Sequence, residues 1–340
     1  MFNPDTCHDI LVKKTPQLLA FDKNADFEEY RKQLKAKFTE LLGLDIIAQN
    51  ACAPEMKIVS DEDKGTYRMI RFEFFSEVGE TVPCYLCIPK TGKKKYPVAI
   101  TMQGHSSGFH NSVGIIKYEK DKDYQPRGQF ALQAVEHGYI ALAIEQRGMG
   151  ERNSPDFNRS LDRLCQWHAS VALSLGRTIL GERIWDIMRA IDLLANFSEC
   201  DTDKILITGN SGGGTISYYA ACLEDRIKLS VPSCAFCSYK ASILDVLHCF
   251  CNFIPSAYRY FEMQDLSALI APKNLVIVAG EQDPIFPING VNDGFETVKA
   301  VYEKAGCPDK CRVVKTPKDH WWCEDIVWGA VDEETKKMGW

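Results

Sequence analysis

Gly209-Asn210-Ser211-Gly212-Gly213 constrains the fold of this chain more than any other stretch. An apolar run, 204–208, precedes it, and a helix-like run, 215–221, follows. A strand that enters G-x-S-x-G and leaves as a helix is the setting of a nucleophile elbow. The turn is so tight that the serine takes a strained backbone conformation and the residues two before and two after it crowd each other. Glycine at 209 and 213 relieves that crowding. The turn lifts the Ser211 hydroxyl above the sheet edge, sets a helix N-terminus beneath it, and aims the Gly212 N–H at the point where an oxyanion would form.

Two other readings use the same residues. A glycine-rich turn between strand and helix holds phosphate in a P-loop, but that motif needs Lys before its Ser/Thr, and here Gly214 directly precedes Thr215. A purely structural turn also favours Gly and Ser. The rest of the chain decides between them.

At 340 residues and 45% apolar content the sequence is long enough to bury the core of one large α/β domain or two small ones. A net charge of −6 gives no basic field for nucleic acid or an anionic membrane, so neither is expected as a partner. Residues 1–7 lack the basic and apolar regions of a signal peptide, and no run of about 18 apolar residues suggests a membrane span. The expected location is cytoplasmic. Fourteen cysteines sit mostly inside apolar runs, where Cys behaves as a small hydrophobe. Cys84/Cys87 and Cys234/Cys237 have the C-x-x-C spacing of zinc sites. Residues 84–87 read as a strand, however, whose positions three apart face opposite ways. His105 and His110 show no carboxylate or thiolate in register. A reduced protein with no metal and no cofactor is the expectation.

Along the chain, Phe27, Tyr30, Leu34, Phe38 and Leu41 predict an amphipathic helix over 26–43, capped by Asp26 and stopped at Gly43. Residues 49–54 are the nearest thing to a linker, which divides the chain into an N-terminal helical extension, 1–55, and a catalytic domain, 56–340. Segments 67–75 and 81–88 read as paired strands with a turn at 77–80. Apolar runs 96–102, 139–144, 204–208 and 274–279 read as strands buried on both faces, with further strands at 229–233 and 311–315. Helices are expected at 130–137, at 180–197 after a long crossing section, and at 295–304. This alternation implies a mainly parallel central sheet with helices on both faces. Residues 237–264 break it with an aromatic cluster that serves equally as a cap-like insertion over a site, a local core, or a subunit interface in a homo-oligomer. Arg147 is expected to hold its loop by ion pairs.

A serine hydroxyl is a poor nucleophile until a base takes its proton, and a carboxylate orients that base. Asp283 follows the run 274–279, and His320 follows 311–315. Carboxyl ends of parallel strands share one edge of a sheet, so Ser211, Asp283 and His320 can converge there. Glu281 is an alternative acid. The loop after 96–102 supplies a second oxyanion N–H beside that of Gly212, from His105 or its neighbour Ser106.

Gln103-Gly104-His105-Ser106-Ser107-Gly108, Glu145-Gln146-Arg147-Gly148, the run 176–183, Gly209-Asn210-Ser211-Gly212-Gly213-Gly214-Thr215 and the run 279–287 together resemble the acetyl-xylan-esterase-like branch of bacterial α/β-hydrolases, a group related to cephalosporin-C deacetylases. The similarity runs from about residue 65 onward. It implies the α/β-hydrolase fold, with Ser211 as nucleophile, His320 as base and Asp283 as orienting acid, in agreement with the reading from the residues. Dienelactone hydrolases share the fold but carry Cys at the elbow, which argues against that activity. Lys318-Asp319 stands before His320 where many relatives have Gly.

The expectation is therefore a serine esterase that removes short acyl groups from small esters, acetylated sugars first. Trp321 and Trp322 read either as a sugar-stacking platform or as packing anchors. Two alternatives share the scaffold: a prolyl-oligopeptidase-like peptidase, for which the first 65 residues are too few to form a gating propeller, and a non-catalytic binding protein, which would be expected to have lost one of the three residues.

Overall fold

The computed structural model describes residues 6–153 and 164–340. Residues 1–5, part of the stretch read against a signal peptide, and 154–163, part of the crossing section, lie outside the described residues. Three helices come first: α1 (Thr6–Lys14), α2 (Phe27–Leu42) and α3 (Leu44–Ala48). Helix α2 forms where the spacing predicts it. The Asp26 carboxylate accepts a hydrogen bond from the Glu29 N–H at 2.8 Å, and Gly43, at φ 70°, closes the other end. Its stripe of Tyr30, Leu34, Phe38 and Leu42 is buried, with the Phe38 ring edge-on to Phe261 at 5.9 Å.

Strand β1 (Met56–Asp63) pairs antiparallel with β2 (Tyr67–Glu77), and β2 pairs with β3 (Glu80–Pro89) across the turn at Val78-Gly79. The alternating part follows: β4 (Tyr96–Met102), α4 (Phe130–Glu136), β5 (Ile140–Ile144), α5 (Leu164–Ser174), α6 (Ile179–Leu193), β6 (Cys200–Asn210), α7 (Gly212–Leu223), β7 (Ile227–Ser233), α8 (Ser267–Ile270), β8 (Asn274–Gly280), α9 (Ile288–Lys304), β9 (Cys311–Thr316) and α10 (Glu324–Lys337). The sheet runs β1-β2-β3-β5-β4-β6-β7-β8-β9, antiparallel up to β5 and parallel from β5 to β9.

Alternate residues of the inner strands feed two cores. Ile100, Ile207 and Ile277 face the helices α2, α6, α7 and α9, whereas Ala99, Leu206 and Val276 face α4 and α10. Cys84 and Cys87 of β3 divide between these same two cores, as strand geometry requires. A mainly parallel sheet covered on both faces is the α/β-hydrolase arrangement. Among the described residues no helix is long and apolar enough to cross a membrane.

Residues 237–264 contain short 3-10 turns, at Phe250–Asn252 and Ala257–Arg259. Tyr239, Ile254 and Phe261 from this segment join the main core, while Leu247 and Phe250 stay exposed. Arg147 does hold its loop. Its guanidinium, 7% exposed, lies 2.6 Å from Glu77 and 2.9 Å from Asp186, and Arg152 adds a bond of 2.7 Å to Asp186. These ion pairs tie the end of β2 and the loop after β5 to helix α6.

Candidate active site

Strand β6 ends at Asn210 and α7 begins at Gly212, so Ser211 alone makes the turn. It does so at φ 57°, ψ −124°, a conformation that costs of order 1–3 kcal/mol in a residue with a side chain. A Cβ at either 209 or 213 would run into the carbonyl oxygen of Met102 at the end of β4. Glycine at both positions is what lets the two strands and the helix meet. The Ser211 N–H is fixed by the carbonyl of Ser233 at 2.9 Å.

Asp283 follows β8 and is 4% exposed. One carboxylate oxygen accepts from the N–H groups of Ile285 at 2.8 Å and Phe286 at 3.1 Å. The other faces His320 Nδ1 at 2.8 Å. An ionised carboxylate can only accept, so Nδ1 carries the proton and Nε2 is left as a base. The Phe286 ring lies over the imidazole, 5.9 Å between centroids and 14° from parallel. Hydrogen bonds from Glu281 N–H to Thr316 at 2.9 Å and from Gln282 N–H to Lys318 at 3.1 Å dock the His320 loop on the turn after β8. Glu281 itself is exposed and makes no side-chain hydrogen bond to His320.

Ser211 and His320 line one cleft of about 210 Å³ with Gln103, Gly104, His105 and Trp321. No hydrogen bond joins the Ser211 hydroxyl to the imidazole in this state, a pairing that commonly tightens only with substrate. The Gly212 N–H, first in α7, has no acceptor within its own helix. The His105 N–H makes no hydrogen bond among the described residues. Gly104 passes so close that a Cβ there would lie 3.1 Å from Ser211 Cβ and 3.5 Å from the Gly212 nitrogen.

The two tryptophans divide. Trp321 is 41% exposed and lines the cleft, with the Arg127 guanidinium 3.6 Å from its ring centroid. Trp322 is buried, packs on Phe130 at 4.3 Å between centroids, and donates to Gln133 at 3.0 Å. Arg127 and Tyr124 come from the polar stretch 109–128, where the sequence alone shows no periodicity. That stretch is organised by buried Asp121, which accepts from the Lys117 and Tyr118 N–H groups at 2.8 Å each and faces His110 Nε2 at 3.0 Å.

Cys234 is a potential rival nucleophile, because its sulfur lies within 4.8 Å of the Asp283 and His320 ligand atoms. Burial pushes its thiol up to about 12, which keeps it protonated at neutral pH. Two sequence expectations need correction. His110 does have a carboxylate in register, Asp121. His105 does have thiols in register, those of Cys165, Cys249 and Cys251, delivered by parts of the chain with no local spacing to His105.

A model described as "Abhydrolase family" matches residues 6–231. "Putative hydrolase YtaP" of Bacillus subtilis (strain 168) is 29% identical over 245 residues, 71% of this chain and 78% of its own length. Among solved structures, a Bacteroides fragilis NCTC 9343 protein described as a "putative acetyl xylan esterase" superposes with a TM-score of 0.81 at 17% identity, covering 98% of this chain and 95% of its own. A glucuronoyl esterase from Solibacter usitatus gives a TM-score of 0.68 at 16% identity, covering 95% of this chain and 97% of its own. At such identities what the structures share with this chain is the fold.

Proposed function

The chain belongs to the Abhydrolase family, and on that premise we propose that it is a serine carboxylic-ester hydrolase acting through Ser211, His320 and Asp283. One observation carries the reading: a buried carboxylate, held by two backbone N–H groups, grips the imidazole of a histidine that shares a cleft with a serine in a strained strand-to-helix turn.

His320 Nε2 takes the Ser211 proton as Oγ attacks the ester carbonyl, and Asp283 stabilises the imidazolium that results. The tetrahedral oxyanion accepts hydrogen bonds from the Gly212 and His105 N–H groups. Collapse breaks the C–O bond, the alcohol leaves with the proton from His320, and water repeats the sequence to release the acid. The cleft of about 210 Å³ suits a short acyl group, with acetyl foremost. Trp321 offers an aromatic face to a sugar alcohol beyond it. Acetylated sugars and oligosaccharides are the substrate class this combination favours, and one solved neighbour is described as a putative acetyl xylan esterase.

The test is hydrolysis of p-nitrophenyl acetate and acetylated oligosaccharides beside a matched peptide amide. Ester turnover is expected, with Ser211→Ala lowering kcat by roughly 10⁶-fold while the far-UV spectrum is unchanged. Turnover that survives the substitution removes the serine mechanism, and preferred cleavage of the amide replaces the esterase by a peptidase.

A further inference from the structure

Beside the hydrolytic cleft, His105, Cys165, Cys249 and Cys251 bring one ring nitrogen and three sulfurs within 4.8 Å of one another. Three stretches far apart in sequence supply them. His105 is in the loop after β4, Cys165 in the first turn of α5, and Cys249 and Cys251 in the segment between β7 and α8. His105 Nε2 lies 3.4 Å from the Cys251 sulfur and 3.6 Å from that of Cys165. A tetrahedral zinc ion, with bonds of about 2.05 Å to nitrogen and about 2.3 Å to sulfur, sets nitrogen and sulfur about 3.5 Å apart and sulfurs about 3.8 Å apart. These two nitrogen–sulfur distances match, and every other pair in the cluster lies within 4.8 Å, about 1 Å of the tetrahedral spacing.

The competing reading is a patch of small hydrophobes, since Cys165 and Cys251 pack with Met149, Ala169 and Ile179. Arg183 speaks against it. Its guanidinium is 2% exposed, donates to the Arg147 carbonyl at 2.7 Å and 3.1 Å, and lies 3.2 Å from the Cys165 sulfur. Among the described residues no carboxylate pairs with it. A buried cation is stabilised by anionic neighbours, so a guanidinium 3.2 Å from the Cys165 sulfur favours thiolates in the cluster over a neutral apolar patch. A divalent ion with three thiolates and a neutral imidazole carries one net negative charge, which Arg183 neutralises.

We propose that His105, Cys165, Cys249 and Cys251 bind one structural zinc ion. Four protein ligands close the coordination sphere, so the ion is a staple and not a Lewis acid for the ester. It joins α5 and the segment after β7 to the loop that carries His105. The His105 ring lies 3.3 Å from where a Cβ on Gly212 would be, so the staple also fixes that loop against the elbow. Neither C-x-x-C pair takes part, which is why cysteine spacing predicts no metal here.

Metal content answers this without reference to ester turnover, so failure of the hydrolase assignment leaves the test intact. Tag-free protein, purified under reductant from zinc-supplemented medium, is expected to hold one zinc per chain by mass spectrometry. Chelation should lower Tm by several degrees, and cobalt added to the stripped protein should give the thiolate charge-transfer and strong ligand-field absorption of a tetrahedral site. Cys251→Ser and Cys165→Ser should lose the metal, whereas Cys7→Ser, at an exposed position, should keep it. Three results overturn the proposal: a reduced wild-type protein that takes up neither zinc nor cobalt at equimolar addition, metal retained by both cluster variants, or a native disulfide between any two of Cys165, Cys249 and Cys251.

Discussion

Trp321 and Trp322 are adjacent and chemically identical, yet in the loop after β9 one is 41% exposed and the other 1%. Trp321 faces the cleft under Arg127; Trp322 is wedged between Phe130 and Gln133. Trp321→Ala is expected to raise KM for an acetylated sugar roughly fivefold, about 1 kcal/mol of stacking, with kcat for p-nitrophenyl acetate little changed. Trp322→Ala empties a fully buried indole site and is expected to cost about 3–5 kcal/mol of stability, read from denaturant unfolding. A stability loss in the first variant alone would reverse the assignment. From sequence the pair offers both roles at once, since deciding which ring faces the core needs the neighbours from α4. Ser211, Asp283 and His320 are legible in sequence for the contrary reason: each follows an apolar strand run, and strand ends of a parallel sheet gather by topology.

Among elements, the loop after β5 depends on a few buried charges. Asp186 of α6 is 1% exposed; burial alone would raise its carboxyl, but Arg147 and Arg152 outweigh that and hold it at about 2, against an ordinary 3.8. As pH falls, the unfolded chain takes up this proton first, so the stabilisation is complete above about pH 4 and is lost toward pH 2. At 1.36 kcal/mol per pKa unit it is worth about 2 kcal/mol. Asp186→Asn should therefore flatten the acid limb of a stability–pH curve between 4 and 2; a limb of unchanged slope would assign the acid sensitivity elsewhere. Arg147 is expected from sequence to hold its loop by ion pairs, but its partners at Glu77 and Asp186 lie far off along the chain. Strand β1 escaped the sequence because it is an edge strand with no fully buried residue, and its Met56–Asp63 text carries too little apolar alternation to register.

Across the whole molecule, buried carboxylates without a cation of their own set the neutral limb of stability. Burial raises Glu145 to about 7, Glu262 to about 7 and Asp265 to about 6, though backbone N–H groups donate to each of them. They sit where separate parts of the chain are pinned together. Glu145 accepts from the Phe109 N–H at 3.2 Å and the Glu151 N–H at 3.1 Å; Asp265 accepts from the Phe21 N–H at 2.9 Å, which fastens the segment after α1 to the one before α8. Between the ordinary value of 4.5 and a folded value of about 7, the folded chain keeps the Glu145 proton that the unfolded chain has released, so stability falls as pH rises through this window. For Glu145 the fall is about 3 kcal/mol. Guanidinium unfolding should give a higher ΔG at pH 5 than at pH 8, and Glu145→Gln, which keeps the size and loses the charge, should shrink that difference. Equal stability at the two pH values would mean that these carboxylates find their compensation within the fold. The effect is invisible in sequence, where Glu145, Glu262 and Asp265 look like surface charges, because what raises them is burial in the folded chain.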